Sequence, residues 1–283
     1  MKRISIIKAD GSKRAFSYKK LLHSVERAGA NRETAKRVAK SVLAQLPREI
    51  NTNQLYDLIY KELRSTHRPA AQVYSLRRAL ADLPPEVWEK YIAKLFSYYG
   101  YITTWNVIVP GASVEHQVDV IAKRDDKVWL IECKHHYDYH RDTGLGEILQ
   151  VQARLEDVQD GYKIGKNKYG FTGAWLVTNT KFSNHNKRYA EAKKINLSGW
   201  RYPEKYSLER LIQDKAVYPL TILSLDKQSR HWLMNNNILT LQDVLANGNK
   251  IIKNLGKDKA DRLARQVQHL LDFGTEQSGW TRL

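Results

Sequence analysis

A single cysteine, Cys133, in 283 residues excludes an internal disulfide and fits a reducing compartment. No apolar run approaches the roughly 18 residues that a membrane-crossing helix needs. The N-terminus also lacks the hydrophobic segment of a signal peptide. No repeat of useful length and no low-complexity tract interrupts the chain. Disorder throughout is excluded as well, because 42% hydrophobic and 10% aromatic residues can build real cores. These absences predict a soluble, cytoplasmic protein with no membrane partner and two or three domains.

Acidic residues are in short supply. Against 47 Lys and Arg there are 30 Asp and Glu, a net charge of +17 that points to polyanionic partners. Residues 1–83 hold 18 basic and 7 acidic groups, 84–218 hold 20 and 17, and 219–283 hold 9 and 6. An anion site in the first segment, with a weaker basic surface elsewhere, fits this split better than one groove along the whole chain.

The first segment opens with a strand over Ile4–Ile7 and a turn at Asp10-Gly11-Ser12. Helices follow, with Ser17 as an N-cap before Leu21, Leu22, Val25 and Ala28, then Val38, Val42, Leu43 and Leu46. Thr52 is read as the cap of a third helix carrying Leu55, Leu58, Ile59 and Leu63. A fourth runs over 70–81, and Pro84-Pro85 marks a domain boundary. The middle segment begins with an amphipathic helix bearing Val87, Trp88, Tyr91, Ile92, Leu95, Phe96 and Tyr99, stopped by Gly100. Strands over 103–109, 117–123 and 127–133, a helix over 147–159, a buried strand over 174–177 and a polar helix near 184–194 follow. That order predicts a mixed sheet flanked by helices. From Pro219 the pattern is short helices, with a frayed tail from 274.

The chemistry concentrates between Glu115 and Lys134. If Asp125-Asp126 is a two-residue turn, Asp119 lies directly across from Glu132, with Cβ atoms about 5 Å apart. Lys134 shares their face and the Cys133 side chain points away. A buried acidic pair repels itself unless a cation neutralises it, and an oxygen-rich set favours Mg²⁺ or Mn²⁺. Such a site suits phosphodiester hydrolysis, with Lys134 orienting water or offsetting charge.

The run Asp119…Glu132-Cys133-Lys134 resembles the PD-(D/E)xK motif of Mrr-like restriction endonucleases, although Val118 stands where that family has proline. Trp88-Glu89 is similar to the family's opening helix, whose glutamate often joins the active site. The stretches 173–183 and Gly199-Trp200-Arg201-Tyr202-Pro203 are similar to later family segments. The resemblance implies Asp119, Glu132, Lys134, Glu89 and Gln152 as catalytic, with Gln150 as a further candidate. It places a metal at Asp119, Glu132 and the Cys133 position.

Residues 1–83 resemble an ATP-cone, the nucleotide-sensing module of ribonucleotide reductases. The matching pieces are residues 6–12, 16–21 and 50–56. The likeness implies ATP or dATP as an allosteric ligand. Lys8 and Thr52 would approach the adenine, Lys20 and Tyr56 the phosphates, and Ile6, Phe16, Leu21 and Leu55 would wall the base. Arg77 or Arg78 would add phosphate contacts, and Arg14 stands where the family often has an acid. Residues 219–272 look like a helix-hairpin-helix DNA-binding module, centred on Leu255-Gly256-Lys257, with a plain helical interaction module as the alternative.

The expectation is therefore an α+β or α/β multidomain chain: a mostly helical cone (1–83), a restriction-endonuclease-like mixed-sheet core (84–218) and a helical module (219–283). Its implied activity is Mg²⁺-dependent cleavage of DNA under adenine-nucleotide control, in a homo-oligomer (dimer or tetramer) that defends against foreign DNA. The alternative is a nucleotide-responsive DNA-binding regulator whose nuclease fold is silent. His135, His136, Asp138 and His140 form either a polar loop beside the site or a transition-metal cluster.

Overall fold

The computed structural model describes residues 4–8 and 11–278. Asp10 of the expected turn and residues 279–283 of the expected tail lie outside the described residues. Two compact units emerge: Met1–Leu76 with Ile222–Ser224 and Lys250–Leu283, and Arg77–Thr221 with Leu225–Asn249.

The first unit starts with strands β1 (Ser5–Ile7) and β2 (Lys13–Ala15), helices α1 (Tyr18–Arg27) and α2 (Arg32–Gln45), strand β3 (Glu49–Asn51), and helices α3 (Thr52–Thr66) and α4 (Arg68–Tyr74). β1 is the central strand, antiparallel to β2 and parallel to β3. Ser17 caps α1 as expected, its Oγ accepting from the Lys20 amide at 3.3 Å. The cap of α3 is Asn51 rather than Thr52, because Asn51 and Gln54 exchange side-chain and backbone bonds in a capping box. α2 turns Val38 and Val42 fully inward but leaves Leu43 41% exposed.

The helix expected over 70–81 is broken at Ser75. Its second half is α5 (Leu76–Ala81), and the two compact units divide between Leu76 and Arg77. Proline fits the first turn of a helix, so Pro84 and Pro85 start α6 (Pro85–Ser97) instead of forming a linker.

The second unit continues with β4 (Ile102–Pro110), β5 (Glu115–Arg124), β6 (Lys127–Lys134), β7 (Asp142–Thr143), α7 (Leu145–Lys163), β8 (Gly173–Thr178), β9 (Lys181–Phe182), α8 (Asn184–Lys193), β10 (Asn196–Ser198), α9 (Leu208–Asp214), α10 (Lys227–Asn235) and α11 (Leu241–Ala246). The central sheet runs β10-β8-β6-β5-β4, with its β4–β5–β6 part antiparallel and its β6–β8–β10 part parallel. α6 buries Trp88, Tyr91, Ile92 and Leu95 completely against one side of the sheet. On the other side, Ile148, Val151, Leu155 and Val158 of α7 pack with Ile121, Leu130 and Leu176. The alternation of β6 separates the two layers, since Leu130 joins the α7 core and Trp129 the aromatic rings beneath α6.

The last helices, α12 (Gly248–Leu255) and α13 (Lys257–Ser278), belong almost wholly to the first unit. There α13 packs on α4, with the Phe273 ring 5.1 Å from that of His67. The expected module 219–283 is thus divided between units, and α13 remains helical to Ser278 where a frayed tail was expected. With these helices the first unit holds 23 Lys and Arg against 10 Asp and Glu, +13 of the +17.

Candidate active site

β5 and β6 pair from Arg124↔Lys127 to Val120↔Ile131, the register set by an Asp125-Asp126 turn. Asp125 takes a left-handed φ of 55°, which Asp tolerates. The ladder then stops, while β6 continues beside β8 through Glu132, Cys133 and Lys134. On its other edge β5 pairs with β4 at Trp105↔Val120 and Val107↔Val118, skipping Asn106 (φ 54°) and Asp119. Asp119 therefore sits just past the end of the β5–β6 ladder, at an interruption in the β4–β5 one. The Cys133 amide, released by the parting strands, donates to Asp119 Oδ2 at 2.7 Å and fixes the carboxylate.

Glu132 follows one register step beyond the last pair and is held by the guanidinium of Arg154 on α7. Burial and the neighbouring Asp119 push Glu132 up to about 7. Burial likewise raises Asp119 above the usual carboxylate range, opposed by the Cys133 amide, Arg154 and Lys134. Glu89 on α6 is raised by burial and by Asp119, and accepts from Trp105 Nε1 at 3.0 Å. Three carboxylates from three elements thus share one field with Lys134 and Arg154. Glu89, Asp119, Glu132 and Lys134 lie close enough to act on one another's charge.

Two further expected site residues are Cys133 and Gln152. Cys133 supplies no side-chain donor, because its thiol is buried and burial pushes it far above the ordinary thiol range. Gln152 bonds Glu156 at 2.6 Å, and its buried amide oxygen has no partner among the described residues. At about 100° per residue, Gln152 and Arg154 flank opposite sides of the apolar stripe of α7. Gln150, exposed and one turn before Arg154, shares the flank that reaches Glu132. Arg154 is the residue missed by sequence reasoning; its one signal is that same i, i+4 spacing from Gln150.

A hard divalent cation fits this donor set. The carboxylates are oxygen ligands whose raised affinity for protons reports uncompensated negative charge. Among the described residues no three His, Cys, Asp or Glu side chains form a ready-made cage. Asp119 and Glu132 would hold the ion, leaving room for water and phosphate oxygens, the mode that suits Mg²⁺.

The loop after β6 is structural. His135 Nε2 meets the Leu80 carbonyl at 3.0 Å. His136 joins a buried network with Thr143, which also meets Thr178 and Thr180, and burial lowers the imidazole to about 4. Asn179 clamps His136 with both ends of its amide, at 3.0 and 2.7 Å. Neutral histidines already engaged in this way hold the end of β6.

α7 is anchored by Asp157, one turn beyond Arg154. Its carboxylate accepts from the Ser113 and Val114 amides at 2.8 and 3.2 Å and meets His116 Nε2 at 2.8 Å. The His116 bond, followed by these amides, holds Asp157 well below the usual carboxylate range. A depressed carboxyl contributes stability that is present above its unfolded value near 4 and lost as pH falls through the folded value. Asp157→Asn is therefore expected to lower the melting temperature at pH 7, with the gap from wild type closing below about pH 4. Melting curves at pH 7, 4 and 2.5 check this; a constant gap would contradict it.

In the first unit, Lys8 and Thr52 each follow the last pair of the β1–β3 ladder, where Ile7 lies opposite Asn51. Thr52 Oγ1 donates to the Ile7 carbonyl at 3.2 Å. Tyr56, one turn along α3, stacks with Tyr60 and Tyr74 at 6.3 and 5.1 Å. Lys20 on α1 and Arg14 on β2 are exposed, Ile6 and Leu21 are buried, and Phe16 and Leu55 are half-buried. Arg77, a candidate phosphate contact, is engaged by other partners in the structure. It belongs to the second unit, where it is half-buried, donates to the Asn179 and Tyr139 carbonyls and lies over the Trp200 ring.

These features define a restriction-endonuclease-type α/β core accompanied by a small basic helical unit. A restriction endonuclease family matches residues 80–199, and the ATP cone domain matches residues 4–83. An uncharacterized protein of Archaeoglobus fulgidus is 40% identical over 165 residues, spanning 58% of this chain and 90% of that protein. The crystal structure of AF1548, a protein of unknown function, is 34% identical with a TM-score of 0.53, covering 70% of this chain and all of that one. Can2 from Sulfobacillus thermosulfidooxidans, in complex with cyclic tetra-adenylate, is 14% identical with a TM-score of 0.31, covering 67% of this chain and 60% of that one. The chain thus carries an ATP cone domain followed by an Mrr-type restriction endonuclease domain, and it belongs to the same family as the Archaeoglobus protein.

Proposed function

We propose that this protein is a metal-dependent DNA endonuclease whose activity is set by an adenine nucleotide bound at residues 1–83. The observation that carries the nuclease reading is the departure of β5 from β6 at Asp119 and Glu132. It leaves two half-buried, mutually repelling carboxylates, with the Cys133 amide on one and Arg154 on the other. Asp119 and Glu132 would hold Mg²⁺ or Mn²⁺, which when bound supplies a polarised phosphoryl oxygen and an activated water. Glu89 adds negative charge beside them. Lys134 orients the attacking water, and Arg154 offers a guanidinium to the phosphate. The test is nicking of supercoiled plasmid with Mg²⁺, with and without ATP or dATP. Folded protein that leaves the plasmid intact under every condition overturns the reading.

The cone reading is supported by the end of the β1–β3 pair, where Thr52 bonds Ile7 next to Lys8, in a unit carrying most of the positive charge. Lys8→Ala with Lys20→Ala is expected to weaken ATP or dATP binding by about 10-fold or more, since each charge-assisted contact to phosphate is strong. Nucleotide should change wild-type nicking or assembly by roughly 5- to 150-fold, the usual span of allosteric coupling, and leave the double variant unresponsive. Calorimetry and nicking rates measure both; unchanged binding in the double variant removes these lysines from the site. The α12–α13 turn, with Gly256 at φ 82° and Lys257, Lys259 and Arg262 around it, would contact DNA phosphates.

A further inference from the structure

We propose that the aromatic cavity between α6, α9 and the β5–β6 turn end of the sheet binds a nucleobase together with its phosphate. The cavity is about 510 Å³, within the usual size range of small-ligand sites, and is lined wholly by residues of the second unit. It lies on the α6 side of the sheet, opposite the face of β6 that carries Glu132. Nothing in the nuclease reading uses it.

Trp175 forms its floor. Phe96 meets that ring edge-on at 5.0 Å, Trp129 at 6.1 Å and Tyr206 at 6.2 Å. The indole is fixed by a 2.9 Å bond to Ser198, whose hydroxyl in turn donates to the Tyr206 carbonyl. Gly173 admits Trp129 closely, since a Cβ there would lie 2.9 Å from the ring. The rings are therefore held before any ligand arrives, which lowers the entropy cost of binding. A closed core would have filled this space; instead Tyr206 stays 46% exposed.

Cations stand around the mouth. The Arg124 guanidinium lies 4.3 Å from the Tyr101 ring centre, braced by the Tyr99 carbonyl at 3.0 Å. The Lys205 amine lies 5.4 Å from the Tyr206 ring and has no acidic partner among the described residues. Arg210 is balanced by Asp214 at 3.5 Å. Asn196 adds an amide able to read a base edge. Flat rings stack on any base and the adjoining positive charges suit phosphate, so the ligand class is a nucleoside phosphate. Its source is either a free nucleotide or an unstacked nucleotide of a DNA strand.

Binding at this cavity is measured apart from cleavage. The full chain carrying Lys8→Ala and Lys20→Ala is titrated with the four deoxynucleoside 5′-monophosphates and, separately, with single-stranded oligodeoxynucleotide. Tryptophan fluorescence and calorimetry follow binding. Quenching by monophosphate marks a free nucleotide as ligand; quenching by oligonucleotide alone marks a base of the nucleic acid. Adding Tyr206→Ala or Lys205→Ala is expected to weaken the quenching species by about 10-fold, as loss of one stacking ring or one phosphate contact does, whereas Tyr206→Phe retains it. The proposal is overturned if neither ligand binds, or if binding is equal with and without Tyr206→Ala and Lys205→Ala.

Discussion

Asp119→Asn and Glu132→Gln proteins are expected to nick plasmid about 10³-fold more slowly or worse, because each loses a ligand to an ion whose charge stabilisation is worth several kcal/mol. The fold should survive. The side-chain amide introduced by Asp119→Asn would keep an oxygen for the Cys133 amide, and both changes remove charge that burial and mutual repulsion disfavour. Glu132→Gln also withdraws the partner of Arg154, so the relief and the loss largely offset. Melting temperatures within a few degrees of wild type, unchanged DNA retention on gels and absent nicking form the expected set. Wild-type rates from either folded variant would remove these carboxylates from the chemistry.

Arg77→Met is expected to destabilise the second unit by about 3 kcal/mol, since it strips a half-buried, hydrogen-bonded charge from two carbonyls, one of them on the buried Asn179. Its guanidinium donates to carbonyls of Asn179 and Tyr139, 102 and 62 residues away in sequence, and lies 5.2 and 5.6 Å from the Tyr139 and Trp200 ring centres. Burial lowers its pKa to about 10, so the charge is retained at neutral pH and its hydrogen bonds are charge-assisted. For a unit of this size the loss corresponds to a melting point lower by roughly 10 °C. Arg77→Lys should recover little, because an ammonium cannot reproduce the planar fork. Neither variant should alter nucleotide affinity in calorimetry, the outcome that separates a structural clamp from a phosphate contact. A stability change below about 1 kcal/mol would contradict the clamp.

Much of the candidate site was readable along the chain because it is built from local rules. Apolar runs within 117–123 and 127–133, joined by two aspartates tolerant of a left-handed turn, fix a hairpin register by sequence distance alone. That register puts Asp119 beside Glu132 without any knowledge of the fold. The stripe on α6 and the Ser17 cap follow in the same way from helical period and short-range hydrogen bonding. Where a local signal admitted two outcomes, long-range packing chose. Pro84-Pro85 can end one helix or begin the next, and here it begins α6. Ser75 carries no breaker signature, yet the helix parts there as the chain passes from one unit to the other.

What sequence spacing could not supply was the identity of partners far apart in the chain. Glu132 and Arg154 lie on different elements, and nothing between them shows which flank of α7 faces β6. Arg77 reads as one more cation of a basic segment until Asn179 and Tyr139 are folded around it. The helices after Lys250 pattern like a separate module, but α13 packs on α4 of the first unit. Periodicity and turn chemistry act within a few residues, and so they set elements, register and the identity of the acidic pair. The choice of which faces meet depends on burial summed over the whole chain, and it decided the guanidinium on Glu132, the limits of the two units and the aromatic cavity beneath α6.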